Sequence, residues 1–551
     1  MLDKNLKNIY LGAAGGLIGF LVTFFALRAG GTFRVDLTDD QRYSLHPATL
    51  SLLQQLDQPV SATLYLSGNL NTGFVRLQRA TIDLMEECQN RYPSWEIETK
   101  TPDETEQKRM IQAGCVPTLI HERERNGKTV QTPCFPYLKI QYGDKMTYVK
   151  LLQNVRGRRG EQNLNQSIEN LEYALAENLH LLRQETTPRI AFLEGHGELP
   201  EQNVYDLSLS LSRYFQIDRG VLGTSADELN DYQAVIIADP QQTFSEKDKY
   251  ILDQYVMQGG HILWLVNGVA FSQNALSNQG FTPAIRLDVN LDDLFFKYGF
   301  KVRPAIVQDL QCLQVPVNVS ADRQQPNYQP IPWFYAPLLL TSERSSITRH
   351  LGQVSSVFAS PIEVLPVDSL HYEVLLATSS DTRLIGVPAK VDLADFNPDP
   401  NEFQYRHAPI AVALEGRFAS LYAHRQPPRE ITKSGQATQY SPSPKQIVVG
   451  CGNIIRNEWA EGQPLPLGLD RYSQMTFANK DFLVNAILWL TDTNGLIELR
   501  QKQVALRLLN TQQTQVHRAT IQWVSTIVPV AILAILGTIV FFVRRNKYSK
   551  I

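Results

Sequence analysis

Cysteine is scarce in this sequence, and no two thiols stand close together. The five residues Cys88, Cys115, Cys134, Cys312 and Cys451 are odd in number and show no Cys-x-x-Cys spacing. That pattern excludes a zinc site of the usual ligand spacing and a disulfide-dense scaffold. A phosphate-cradling Gly-x-x-x-x-Gly-Lys-Ser/Thr loop is missing, so ATP-driven work belongs to another chain. His-Glu-x-x-His and Gly-x-Ser-x-Gly are missing too, and no Gly-x-Gly-x-x-Gly opens the second α/β unit described below. Neither sign of charge is in excess, with 52 basic and 55 acidic residues and a formal net charge of -3. A chain so balanced carries no global footprint for nucleic acid. What is present is a folding composition, 43% hydrophobic and 19% charged over 551 residues. That length corresponds to about 3.7 average domains.

The mean hydropathy of -0.21 conceals two apolar runs at the ends. Residues 8–27 and 519–543 carry no charge, and each is long enough as a helix to cross a hydrocarbon core about 30 Å thick. The first run exceeds a signal-peptide core and no Ala-x-Ala site closes it, so it reads as a retained anchor. Lys4 and Lys7 before it, and Arg544, Arg545, Lys547 and Lys550 after the second run, favour cytoplasmic ends. Two inner-membrane spans then place residues 28–518 in the periplasm, with membrane lipid around the anchors. Gly12, Gly15, Gly16 and Gly19 fall four apart, a spacing that lets another helix approach closely.

Between the anchors the pattern is α/β. Residues 31–187 alternate strand and helix signals: Ala62, Leu64 and Leu66, then Leu77, Thr81, Leu84 and Cys88 at helical spacing. A hairpin at Gly143-Asp144 and a long amphipathic helix with Ile168, Leu171, Leu175, Leu179 and Leu182 on one face follow. This order predicts a small thioredoxin-like layer without the redox motif. Residues 188–495 contain short apolar strands at 190–193, 234–238, 261–266 and 447–449, separated by amphipathic helices, one capped by Ser245. Such punctuation predicts a doubly wound parallel sheet, with a Pro- and Ser-rich linker at 426–444. A helical stalk over 496–518 leads to the second span, and residues 544–551 form a basic tail.

In open parallel sheets ligands lie beyond the carboxyl ends of the strands. Here those ends are Gly195, His196, Gly197 and Glu198, then Asp239, Asn267 and Cys451, which become the candidate ligand- or partner-binding residues. Gly195-His-Gly-Glu198 offers a histidine and a carboxylate for proton exchange or ligand contact. The same string also reads as a tight strand-to-helix turn, where the two glycines supply positive φ and the polar side chains satisfy the backbone. Gly450-Cys451-Gly452 resembles a nucleophile on a sharp turn, for which His196 is the one base on the same edge; a buried inert thiol is the alternative. One histidine and one glutamate fall short of a metal set, and no cofactor is expected.

Several stretches together carry a resemblance. Asp36-Leu-Thr-Asp-Asp-Gln-Arg-Tyr-Ser-Leu45 leads into Leu52-Leu-Gln-Gln-Leu-Asp-Gln-Pro-Val60, and Phe192-Leu-Glu-Gly-His-Gly-Glu198 precedes residues 232–240. Phe482-Leu-Val-Asn-Ala-Ile-Leu-Trp-Leu490 comes before the terminal span. The chain resembles the GldG family of gliding-motility ABC-transporter auxiliary proteins, within the wider class of ABC-2-type auxiliary components. The resemblance implies an inner-membrane protein of Bacteroidota whose periplasmic domain is related in shape to class I glutamine amidotransferases. It implies an ABC-2-type permease and a cytoplasmic ATPase as partners, and it carries over no catalytic residue. Where relatives tend to show Gly-Asp after the late strand, this chain has Gly450-Cys451. The expectation is a non-enzymatic accessory subunit, set against a periplasmic amidase-like or hydrolytic enzyme using Cys451 and His196, or a spacer between membrane and wall.

Overall fold

The computed structural model describes residues 44–68, 70–123, 129–153, 160–318, 320, 327–393, 398–432, 438–501 and 518–548. The first apolar run, with Gly12, Gly15, Gly16 and Gly19, lies outside the described residues, as does most of the expected stalk. Met1–Gln503 form one compact unit and Val504–Ile551 a second.

The first unit opens with a four-stranded sheet. Val60–Leu64 pairs in parallel with Trp95–Thr99 on one side and antiparallel with Tyr137–Tyr142 on the other. Lys145–Lys150 closes the edge through the Gly143-Asp144 hairpin. The helix Thr72–Arg91 starts where Asn71 accepts a hydrogen bond from the Phe74 amide, and it buries Leu77, Thr81, Met85 and Cys88. The long amphipathic helix expected over 168–182 is two helices, Gly160–Glu169 and Leu171–Arg183, with Asn170 between them. Their apolar stripes pack into the same core, so the periodicity reads through the break. A hairpin of Thr118–Arg123 with Thr129–Cys134 had no strand signal strong enough to predict.

The larger sheet has ten strands, and half of it follows the expectation. Gln216–Val221, Arg189–Glu194, Ala234–Ala238, His261–Leu265 and Lys445–Val449 lie side by side in that order, all parallel. In order of sequence this is 2-1-3-4-5, the doubly wound arrangement whose direction reverses beside its first strand. Both faces are covered. Leu263 and Leu265 enter the core built with the helix Asn479–Thr491, while Ile262 and Trp264 enter the one built with Glu246–Met257. Burial on both faces is why these strands read as unbroken apolar runs.

The sheet is not wholly parallel, which corrects the expectation. Pro409–Gly416, Leu370–Ala377, Tyr328–Thr341 and Cys312–Asn318 extend it antiparallel from Lys445–Val449. Tyr328–Thr341 carries Pro330, Pro332 and Pro337. Prolines cannot donate to a ladder, so on sequence grounds that stretch argues against a central strand; here it lies second from the sheet's edge. The fold is therefore a mixed α/β unit.

The second unit contains the helix Arg518–Tyr548, which continues through Pro529. Its stretch Gln522–Phe542, 21 residues at a mean hydropathy of 2.5, is long and apolar enough to cross a membrane. It coincides with the second predicted span.

Candidate functional site: the carboxyl edge of the parallel strands

The strand Arg189–Glu194 ends in a turn that two glycines make possible. Gly195 and Gly197 have φ of 112° and 74°, in the region that side chains disfavour. The turn projects His196 inward, between the strand ends and the first turn of the helix Glu246–Met257. His196 is 5% exposed. Its Nδ1 lies 3.0 Å from Glu198 Oε1 and its Nε2 lies 3.3 Å from Asp248 Oδ2. The ring stacks on Phe244 with centroids 3.6 Å apart and planes 9° from parallel. Burial opposes the charged imidazole, yet the hydrogen bonds to Asp248 and Glu198 outweigh it and push the pKa up to about 9. Desolvation works against Asp248 as well, but His196, Ser245 and Lys247 hold its carboxyl at about 2. Both ring nitrogens therefore donate, and His196 is an imidazolium clamped by two carboxylates.

Within the turn Glu198 Oε2 also accepts from the His196 amide at 2.6 Å, so the polar side chains satisfy the backbone while the histidine ring is itself held in place. The His196 carbonyl accepts from the Gln241 and Gln242 amides at 2.8 Å, tying the turn to the end of Ala234–Ala238. This is the point where the strand order reverses, and the protein's own side chains fill it.

A second knot lies one strand over. Asp239 sits at φ 58°, a left-handed conformation that its short polar side chain tolerates better than most. Its Oδ1 accepts from Asn267 Nδ2 at 2.6 Å and Gln241 Nε2 at 2.9 Å. Asn267 Oδ1 in turn accepts from the Gly452 amide at 2.9 Å. Burial pushes the Asp239 carboxyl up to about 6, against the pull of Arg456 and of its two amide donors. The chain passes so close here that a Cβ on Gly452 would sit 2.2 Å from Asp239 Oδ1, and one on Gly450 1.9 Å from the Ser360 carbonyl. The Ser360 amide donates back to the Gly450 carbonyl at 2.6 Å. Three strand ends are thus laced together by Asp239, Asn267 and Gly452.

Cys451 sits inside this lacing with its thiol held by local contacts. Its Sγ lies 3.1 Å from Asn453 Oδ1 and 3.6 Å from the Val357 carbonyl. It is fully buried, and desolvation pushes the thiol up to about 12. A thiol in that state offers almost no thiolate near neutrality. His196, with both nitrogens bonded to carboxylates, is not brought to it. The structure gathers Gly195, His196, Gly197, Glu198, Asp239, Asn267 and Cys451 on one edge, but as two closed networks rather than an open constellation.

Sequence reasoning missed Asp248 and Phe244. The signal was present, since Ser245 caps the helix by accepting from the Asp248 amide, which puts an acid in the first helical turn, facing the strand ends. Asp253 was missed as well. It is buried and accepts from Ser420 Oγ at 2.6 Å, Tyr298 Oη at 3.0 Å and the Leu421 amide at 3.0 Å. Burial raises its pKa. Nothing in its helical surroundings distinguishes it from a solvated acid. Among the described residues, no group of three or more His, Cys, Asp or Glu is arranged to hold a metal ion.

Comparison with known proteins adds a family. Residues 39–141 match a model described as a domain of unknown function. A protein of Borreliella burgdorferi, itself described only as uncharacterized, is 22% identical over 453 residues, covering 78% of this chain and 80% of its own length. Two solved structures share little shape. The mmIFT52 N-terminal domain, 17% identical, gives a TM-score of 0.31 over 55% of this chain and 97% of that one. The exo-beta-1,4-mannosidase Op5Man5 from Opitutaceae bacterium strain TAV5, 9% identical, gives 0.19 over 81% and 55%. Neither score carries an argument about fold or function. The model described as an ABC-type uncharacterized transport system matches residues 187–486, more than half of the 551 residues, and the chain belongs to that family of ABC-type transport auxiliary proteins.

Proposed function

We propose that the protein is a non-catalytic, membrane-anchored accessory subunit of an ABC transporter. The 21-residue apolar helix Gln522–Phe542 supplies one anchor, and residues 8–27, with Gly12, Gly15, Gly16 and Gly19, supply a second that packs on the permease. Both termini face the cytoplasm, and the mixed α/β unit stands in the periplasm as a binding module for substrate or an envelope partner. Gliding motility or a related envelope process is what it serves. One observation carries the non-catalytic half of this reading. The edge where an α/β enzyme keeps its reactive groups is filled by an imidazolium between two carboxylates and by a buried thiol.

The absence of a P-loop from the sequence means that nucleotide hydrolysis must come from a partner. Purification through a C-terminal tag in mild detergent, followed by mass spectrometry, should therefore recover a polytopic permease and a cytoplasmic ATPase together with this chain. Recovery of the chain without either subunit, across detergents that keep it folded, would overturn the proposal.

A further inference from the structure

Shortly before the terminal apolar helix the chain passes from one core to another. Leu490, near the end of the helix Asn479–Thr491, is buried in the core of the ten-stranded sheet. A short way on, Leu499 is buried in the core of the four-stranded layer, with Leu496 packed against it. Leu496–Gln501, which the sequence predicts as the start of a stalk, is a 3-10 helix lying against Pro47–Gln54 and Leu171–Arg183. The same core holds Leu45, close to where the described chain begins. The connection toward residues 8–27 and the connection toward Arg518–Tyr548 therefore both start from this core.

On the side of the large sheet the crossing is tied down. Lys445, at the start of Lys445–Val449, donates through Nζ to the Trp489 carbonyl at 3.2 Å and the Asp492 carbonyl at 3.0 Å. The Asp492 carboxylate accepts from the Asn494 and Ile497 amides at 3.0 and 2.8 Å, which fixes the turn into Leu496. On the side of the four-stranded layer the seam is less complete. A 3-10 helix rarely exceeds three or four residues, because its hydrogen bonds are poorly aligned, and this one has six. His180 of Leu171–Arg183 pairs its Nε2 with Gln184 Nε2 at 2.9 Å, but its Nδ1 is buried without a partner. Burial and Arg183 lower the pKa of that ring against the pull of Asp492. A buried polar atom left unpaired weakens the contact that buries it.

We propose that Leu496–Gln501 is a releasable strap on the four-stranded layer: when it lifts, Pro47–Gln54 and Leu171–Arg183 open with it, while the ten-stranded sheet stays closed. Leu496 and Leu499 complete an apolar core shared with both helices, so their withdrawal exposes apolar surface on each, and the three segments share one opening equilibrium. The chain leading to the terminal apolar helix is thereby coupled to the four-stranded layer and not to the sheet. This inference goes beyond the transport reading and does not depend on it, because every contact it uses lies within Met1–Gln503.

Hydrogen exchange of the full-length chain in detergent, read by mass spectrometry, tests the strap. In the wild type the amides of 47–54, 171–183 and 496–501 should exchange through a common opening, faster than those of Ala234–Ala238 and His261–Leu265. Leu499→Ala should speed exchange in all three segments by about thirtyfold or more, which is the loss of a buried leucine side chain expressed as an equilibrium constant. The two strands of the sheet should be unaffected. Should Leu499→Ala fail to fold, Leu496→Ala, at a partly buried position of the same core, should give the same pattern on a smaller scale. Faster exchange of 496–501 alone, an equal change in the two strands, or no change in a folded variant would each overturn the proposal.

Discussion

Gly450→Ala should destabilise the mixed α/β unit by about 3 kcal/mol or more, because the added methyl has nowhere to go. Its Cβ would lie 1.9 Å from the Ser360 carbonyl, which is backbone and cannot rotate away. The same two residues are joined by the 2.6 Å hydrogen bond from the Ser360 amide to the Gly450 carbonyl, so relief by separation breaks that bond as well. Gly220 supplies the control. It lies in the edge strand Gln216–Val221 with nothing within 4 Å of an ideal Cβ, so Gly220→Ala should change stability by less than about 0.5 kcal/mol. Urea unfolding of both variants measures the contrast. Similar midpoints for the two would mean that the strand ends are not in contact as described.

His196→Ala carries the second large effect. Removing the ring leaves the buried Glu198 carboxylate without its cation and Asp248 with Lys247 alone, and it takes away the stacking on Phe244. Breaking a buried pair in this way costs about 3 kcal/mol. The pH dependence has a definite sign. The folded imidazole holds its proton up to about 9 against an ordinary value of 6.5, so its stabilisation is complete below 6.5 and fades as pH rises through 9. Asp248, held at about 2, contributes above its ordinary value of 3.8 and loses that contribution only as pH falls through 2. Asp239 runs in a third window. Its carboxyl is raised from 3.8 to about 6, so the stability it gives is present below 3.8 and lost as pH rises through 6. Stability of wild type minus His196→Ala should thus be largest between roughly pH 4 and 6.5 and shrink as pH rises through 9, leaving only the packing lost with the ring. A difference that stays constant from pH 6 to pH 10 would show that the charge on His196 is not what holds the turn.

The turn at 195–198 illustrates what the sequence makes legible. Two glycines around a polar pair, directly after an apolar strand, announce a sharp bend, because that conformation is a local property of those residues. Ala234–Ala238 and the Ser245 cap are legible for the same reason. What holds His196 is not local. Asp248 lies 52 residues downstream, and its meeting with the ring depends on the strand order reversing beside Arg189–Glu194. Likewise Gly452 reaches Asn267 across 185 residues through the parallel pairing of Lys445–Val449 with His261–Leu265. The antiparallel half of the sheet stayed hidden because three prolines interrupt Tyr328–Thr341, and its ladder is tolerated only by the surrounding fold. Thus the residues of the edge could be named in advance, whereas their closure into two hydrogen-bonded networks could not.

The most direct test of the non-catalytic account is Cys451→Ala expressed from the native locus, with assembly of the proposed transporter complex and the envelope process proposed for it measured together. A cysteine nucleophile cannot be replaced by alanine without losing several orders of magnitude in rate, whereas a buried inert thiol is replaced at the modest cost of a small void. The thiol at about 12 and its contacts to Asn453 and Val357 predict the second outcome. Complex assembly and process should both stay near the wild-type level once protein abundance is matched. Loss of the process in a variant that folds and assembles normally would contradict the account and return the edge of the sheet to catalysis.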